Sequence, residues 1–214
     1  MSNAPFTVLP AVDFSDALTF GVASGGISSS LTGQTLHTSW GLDYLGSAVL
    51  AAGAHESAVV TLSFGGVPAT RDFLWIFVRI ASYGGSPDAA GDIASLRFNE
   101  DSGANYWTRH LQYAGSNTWD DVQSVDTSLI RLAGSNSRLS RNVFVTVNNL
   151  ANRGKTCNIK NQTGTANPSV AGTVNIAGGE WCNLVDQITS VQLINAGSNN
   201  MGAGSGFIVL GKNF

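Results

Sequence analysis

Residues Phe73–Ala81, FLWIFVRIA, are apolar on both faces of an extended strand as far as Arg79. Side chains of a strand alternate, so Leu74, Ile76, Val78 and Ile80 share one face, and Phe73, Trp75, Phe77 and Arg79 share the other. Such a strand sits inside a packed sheet or turns its second face to a partner. The aliphatic face is enough to fill the space between two sheets. The aromatic face then needs its own cover, because three bare rings make a patch of roughly a few hundred Å2, typical of an interaction site. We expect a sister subunit to supply that cover, with Phe73, Trp75 and Phe77 at the interface. The plainer alternative is an intramolecular cover from residues 1–45 or a long loop.

The flanking sequence carries the same signature. Val59–Phe64 alternates, Gly65-Gly66-Val67-Pro68 can turn the chain, and Ala94–Phe98 and Tyr106–Tyr113 read as strands around the loop Asn99–Asn105. Further short strands are expected at Ser128–Ala133, Asn142–Asn148, Thr156–Asn161, Val170–Ile176, Ile188–Ile194 and Gly206–Leu210. Many short strands divided by turn clusters indicate a sandwich or barrel, not βαβ units. The expected fold is all-β, a jelly-roll-like antiparallel β-sandwich over residues 46–214. Residues 1–45 lack Lys and Arg and show no tight alternation, with short extended pieces at Phe6–Leu9 and Leu18–Val22, so an extended N-terminal arm that orders on a neighbouring subunit is expected there, the alternative being a strand pair added to the sandwich. Trp40–Ala52 is the one helix candidate, with Trp40, Tyr44, Ala48 and Ala52 at i, i+4 spacing behind Ser39 as a cap.

The runs VPATRDFLWIFVRIAS, LRFNEDSGANY and ITSVQLINAGSNNMGAGSGFIVLGK resemble a group of tailed-bacteriophage virion proteins. Those pair a PAT strand with an RFN-D-G-NY hairpin and close on a glycine-rich strand pair. The resemblance covers roughly Gly46–Phe214 and departs at the end, where LGKNF lacks the aromatic that usually precedes the glycine. It implies a non-enzymatic β-sandwich on the particle exterior, as head decoration or cement or as a tail or fibre component. It also implies a homotrimer, and the N-terminal arm read above would then dock on other virion proteins. The alternative is a carbohydrate- or receptor-binding module of a tail fibre, taking a host-surface glycan on exposed aromatics, for which Tyr83, Trp107, Tyr113 and Trp119 are the candidates.

Only 12% of residues are charged and 43% are hydrophobic, the reverse of a disordered composition. A sparsely charged surface suits packing against copies or other subunits, although an all-β domain with polar loops has a similar composition. Residues 1–126 hold four Arg against twelve carboxylates, net −8, whereas residues 127–179 hold Arg131, Arg138, Arg141, Arg153, Lys155 and Lys160 with no acid, net +6. Complementary subunit surfaces, an anion-binding patch, and simple intermixing on folding all accommodate that split. A net charge of −3 without a basic arm argues against direct nucleic-acid binding. No apolar run approaches the ~20 residues of a membrane span. The first cationic side chain is Arg71, so no secretory leader is expected, assembly would take place in the host cytoplasm, and Cys157 and Cys182 would be reduced, buried thiols.

Catalytic chemistry finds little support. His37, His55 and His110 lie apart, and neither HExxH nor paired CxxC occurs, so no zinc site, other metal or cofactor is expected. His110 alternates with Tyr106, Thr108 and Gln112, which reads as a polar surface. Asn99-Glu100-Asp101-Ser102-Gly103 offers oxygen ligands but lacks calcium-loop spacing, and a hairpin turn accounts for it. A glycosidase would need paired carboxylates on an aromatic cleft, for which Glu100 and Asp101 could face a platform of Tyr83, Trp107, Tyr113 and Trp119, although aromatics in a sandwich are usually core or interface. Gly202-Ala203-Gly204-Ser205-Gly206 joins two strands and is no phosphate loop.

Overall fold

The computed structural model describes residues 42–50, 59–63, 71–80, 94–114, 118–132, 141–163, 174–195 and 201–213. In chain order the strands are β1 (Asp43–Val49), β2 (Val59–Ser63), β3 (Phe73–Ile80), β4 (Ala94–Phe98), β5 (Tyr106–Ala114), β6 (Thr118–Thr127), β7 (Ile130–Arg131), β8 (Arg141–Asn148), β9 (Lys155–Thr163), β10 (Val174–Trp181), β11 (Ser190–Asn195) and β12 (Gly206–Lys212). They form an eight-stranded sheet, β1-β12-β3-β8-β9-β10-β5-β6, and a four-stranded sheet, β2-β11-β4-β7. Every pairing is antiparallel.

Within this arrangement β1-β12-β3-β8 and β2-β11-β4-β7 are the two four-stranded sheets of a jelly roll. The chain passes from one sheet to the other at each step from β1 to β4, from β7 to β8 and from β11 to β12. Two additions widen the first sheet. The β5–β6 pair enters between β4 and β7, and the β9–β10 pair enters between β8 and β11. The all-β, jelly-roll-like antiparallel sandwich expected from strand spacing is therefore the fold.

The core lies between the sheets. Leu74, Ile76, Val78 and Ile80 of β3 are buried with Val143, Val145 and Val147 of β8 and Phe207 and Val209 of β12. Leu96 and Phe98 of β4 and Val191 and Leu193 of β11 are buried from the smaller sheet. Burying each such side chain stabilises the fold by roughly 1.5–3 kcal/mol. Phe98, Tyr106 and Trp181 form an aromatic cluster, with Tyr106 and Trp181 stacked at 6.2 Å and 17°.

Several expectations need correction. Trp40–Ala52 is not a helix: Asp43–Val49 is the edge strand β1, paired with β12. Edge pairing outweighs i, i+4 spacing because Gly41 and Gly46 weaken any helix there. Gly46, with φ 146°, forms the bulge that shifts the register after Tyr44, a backbone that suits glycine alone. β1 thus begins at Asp43, ahead of the Gly46 boundary, and residues 1–41 lie outside the described residues. β6 is a strand not anticipated, because its three acids masked it.

Asn99–Asn105 is not a hairpin loop: β4 and β5 belong to different sheets, so the segment carries the chain between them. Asn99 and Glu100 both have positive φ, 49° and 58°, and Asp101 N–H donates to Phe98 O at 3.0 Å, the geometry of a type I′ turn. Asn99 Oδ1 accepts from the Thr189 and Ser190 amides at 2.8 and 3.1 Å, tying this turn to the start of β11. Cys157 is buried as expected, but Cys182 is exposed. His110, Thr108 and Tyr106 face inward and are buried, not on a polar surface. They belong to the added strand β5, whose inner face meets the smaller sheet: the Tyr106 hydroxyl bonds Phe98 of β4, and Thr108 Oγ1 accepts from Arg131 N–H of β7.

Candidate functional site

The outer face of the eight-stranded sheet carries the aromatic side of β3. Phe77 stands opposite Ile208 of β12 and Phe144 of β8, while Trp75 stands opposite Leu210 and Thr146. The Phe73 and Trp75 rings lie 4.5 Å apart, and those of Phe77 and Phe144 lie 4.9 Å apart. Each such ring pair contributes about 0.5–1.5 kcal/mol beyond simple burial. That mutual packing leaves Phe73 and Trp75 half-buried and Phe77 39% exposed. Period-two alternation therefore places these three rings together on one side, opposite the core.

The row through Phe77 and Phe144 continues across the sheet to Lys160, Ile176, Leu111 and Asp121. Ile176 and Leu111 are 48% and 46% exposed, unusual for neighbouring aliphatic residues. An open depression of about 310 Å3 lies between the two halves, lined by Phe144, Thr146, Asn158, Lys160 and Ile176 among others.

Charges on this face are few and mostly engaged. Arg109 Nε donates to Asp121 Oδ1 at 3.0 Å, and that bond raises the guanidinium pKa and lowers that of the carboxyl. Trp107 Nε1 donates to Glu180 Oε2 at 3.0 Å. Of the cations in the basic segment, Lys155 is buried, with its ammonium donating to Arg153 O and Asn183 O at 2.6 and 3.0 Å. Burial lowers its pKa against the field of Asp186. Arg131 is half-buried on β7 of the smaller sheet, whereas Lys160 is exposed on β9 of the larger one.

Of the aromatics expected to face a ligand, Trp107 and Tyr113 share strand β5 and Trp119 lies on its neighbour β6. Trp107 is half-buried on β5 with its N–H committed to Glu180, four strands from β3 in the sheet order. Tyr113 and Trp119 are opposite each other in the β5–β6 register, and Tyr83 lies outside the described residues. Asp101 does not face an aromatic platform from solvent. Its Oδ2 accepts from Trp181 Nε1 at 2.7 Å and Asn105 Nδ2 at 2.9 Å, and its Oδ1 accepts from Gly103 N–H at 2.9 Å. Among the described residues no group of three or more His, Cys, Asp or Glu side chains could hold a metal ion.

Phe144, Ile208, Ile176 and Leu111 complete the outer face, and sequence reasoning did not find them. Their alternation was legible within each strand, but only the sheet order makes them neighbours of Phe77 or of each other. No family model matches the chain, and neither the curated proteins nor the solved structures contain a match to it.

Proposed function

We propose that this chain is a non-enzymatic structural component of the exterior of a tailed-bacteriophage particle, serving in head decoration or cement or in the tail or a fibre. It acts by packing against copies of itself as a homotrimer and against neighbouring virion proteins, the latter through its N-terminal segment. The particle context comes from the sequence resemblance. The observation that carries the packing role is the aromatic outer face, where Phe77 is 39% exposed beside Phe73, Trp75 and Phe144.

The sheet edges support association through the face. Edge strand β6 carries Asp120, Asp121 and Asp126, and edge strand β1 is bulged at Gly46. Both features disfavour the addition of a further strand. A second reading, glycan binding, draws on the depression beside Phe144, where an aromatic ring adjoins Thr146, Asn158 and Lys160. Its volume is at the low end of the ~300–1,000 Å3 of ligand sites.

Sedimentation of the wild type and Trp75→Glu tests the proposal. The wild type is expected to be trimeric or larger, and the variant folded but smaller than a trimer. A monomeric wild type, an unchanged stoichiometry or a variant that unfolds would overturn it. Binding of neutral or acidic oligosaccharides that Phe144→Ala abolishes would promote the glycan reading instead.

A further inference from the structure

The four strands added to the jelly roll carry a surface that is complementary to itself. One row crosses β9, β10, β5 and β6 as Lys160, Ile176, Leu111 and Asp121. Both ends are exposed and oppositely charged, Asp121 also accepting from Arg109 of its own chain, and the two central aliphatic residues are 48% and 46% exposed. The next row reads Asn158, Gly178, Arg109 and Gln123. At Gly178 the outer side is open, since an added Cβ would meet only Cys157 O, at 3.9 Å. Arg109, in contrast, projects a long exposed side chain.

We infer that this half of the outer face docks a second copy of the chain about a two-fold axis that runs parallel to the strands, between β10 and β5. The inference rests on the packing role proposed above and adds a contact distinct from the aromatic one. Under that axis Lys160 meets the second copy's Asp121, and Ile176 meets its Leu111. Arg109 meets the gap over Gly178. Each contact occurs twice, as an isologous interface requires. No other two-fold placement along the row pairs both charges with their opposites. Placed at Lys160, the axis would set two cations together, which costs affinity.

The area is consistent with a dissociable contact. Four strands spaced about 4.8 Å apart and seven or eight residues long bury roughly 1,000 Å2 over both copies, near the lower limit for a specific interface. Phe77 and Phe144 lie outside this footprint, so both contacts can form on one subunit. Three-fold and two-fold contacts on one subunit together extend the assembly beyond a trimer.

The test is a two-by-two comparison by sedimentation velocity across concentration, with circular dichroism and melting as folding controls. Trp75→Glu is expected to leave a reversible dimer, Ile176→Asp to leave a trimer, and the double variant to be monomeric. In the Trp75→Glu background, Lys160→Asp should weaken the dimer at least about tenfold by setting acids against acids. Adding Asp121→Lys together with Arg109→Gln, which removes the cation otherwise beside the new lysine, should restore it, because the swap re-forms both pairs between copies. A Trp75→Glu protein that is monomeric at every concentration, while the wild type is trimeric or larger, overturns this inference and leaves the proposed function standing. A wild-type dimer that Trp75→Glu leaves intact does the reverse. A dimer that survives Ile176→Asp, or a charge swap without rescue, also overturns the inference. Should Trp75→Glu unfold, which overturns the aromatic contact, Phe77→Lys at the more exposed position becomes the background in which the dimer is read.

Discussion

The indole N–H of Trp181 donates to the Asp101 carboxylate at 2.7 Å, joining the end of β10 to the turn that carries the chain from β4 to β5. Trp181 is fully buried against Tyr106 and Phe98, so its one polar atom has this carboxylate as its partner. Burial pushes the Asp101 carboxyl upward, but the bonds from Trp181, Asn105 and Gly103 and the field of Arg97 prevail, leaving it below its ordinary value.

Asp101→Ala is expected to cost about 1–3 kcal/mol at pH 7 by stranding the Trp181 indole. Because the folded pKa is depressed, the ionised carboxylate adds stability above about pH 4, the unfolded value, and that contribution is lost as pH falls through the folded one. Urea midpoints at pH 7 and pH 3 check this. The gap between wild type and variant should narrow at acid pH, and a constant gap would refute the assignment.

His110 should make the fold acid-sensitive in a higher window. Its ring is buried with both nitrogens unpartnered, and burial, helped by the field of Arg131, lowers its pKa to about 4. The unfolded chain binds the proton first, at about pH 6.5. Stability is therefore full above that pH, declines as pH falls towards 4, and loses roughly 3 kcal/mol in all at about 1.4 kcal/mol per pKa unit. His110→Leu should flatten that limb in denaturation curves at pH 7.5, 6 and 5, and an unchanged slope would place its origin elsewhere.

Gly206 opens β12 where β1 leaves the sheet, and a Cβ there would lie 2.3 Å from Ala48 O and 2.8 Å from Val49 Cα. Backbone atoms cannot yield as a flexible side chain can. Gly206→Ala is expected to cost about 1–3 kcal/mol and to loosen β1 first. Hydrogen exchange should show lost protection in Asp43–Val49 before any change in β3 or β8.

A chain beginning at Leu42 keeps the twelve described strands and should melt cooperatively near the wild-type temperature. One beginning at Gly46 loses Asp43–Leu45 and, with them, the Asp43 carboxylate that accepts from Arg71 Nε. Differential scanning calorimetry should show a lower midpoint for the shorter chain. Equal midpoints would mean that the start of β1 adds nothing to the sandwich.

Local pattern was sufficient for the strands that alternate strongly. Phe73–Ile80 could be placed with its aliphatic face inward from the sequence alone, because period-two alternation follows from backbone geometry whatever the neighbours. The same logic found β4, β5, β8 and β12 within a residue or two. It failed at β1, where helical spacing competed with edge pairing, and at β6, where Asp120, Asp121 and Asp126 hid a strand exposed along an edge. Sheet order was beyond its reach. Antiparallel pairing is made by backbone groups common to all residues, so nothing in the side chains says that β12 lies between β1 and β3. The tertiary structure therefore decided that His110 is buried, that Phe144 stacks beside Phe77, and that Ile176 and Leu111 adjoin between a cation and an acid. Those juxtapositions join residues far apart in the chain: strand order within the eight-stranded sheet brings the paired residues together, and the packing of the second sheet on it buries its inner face.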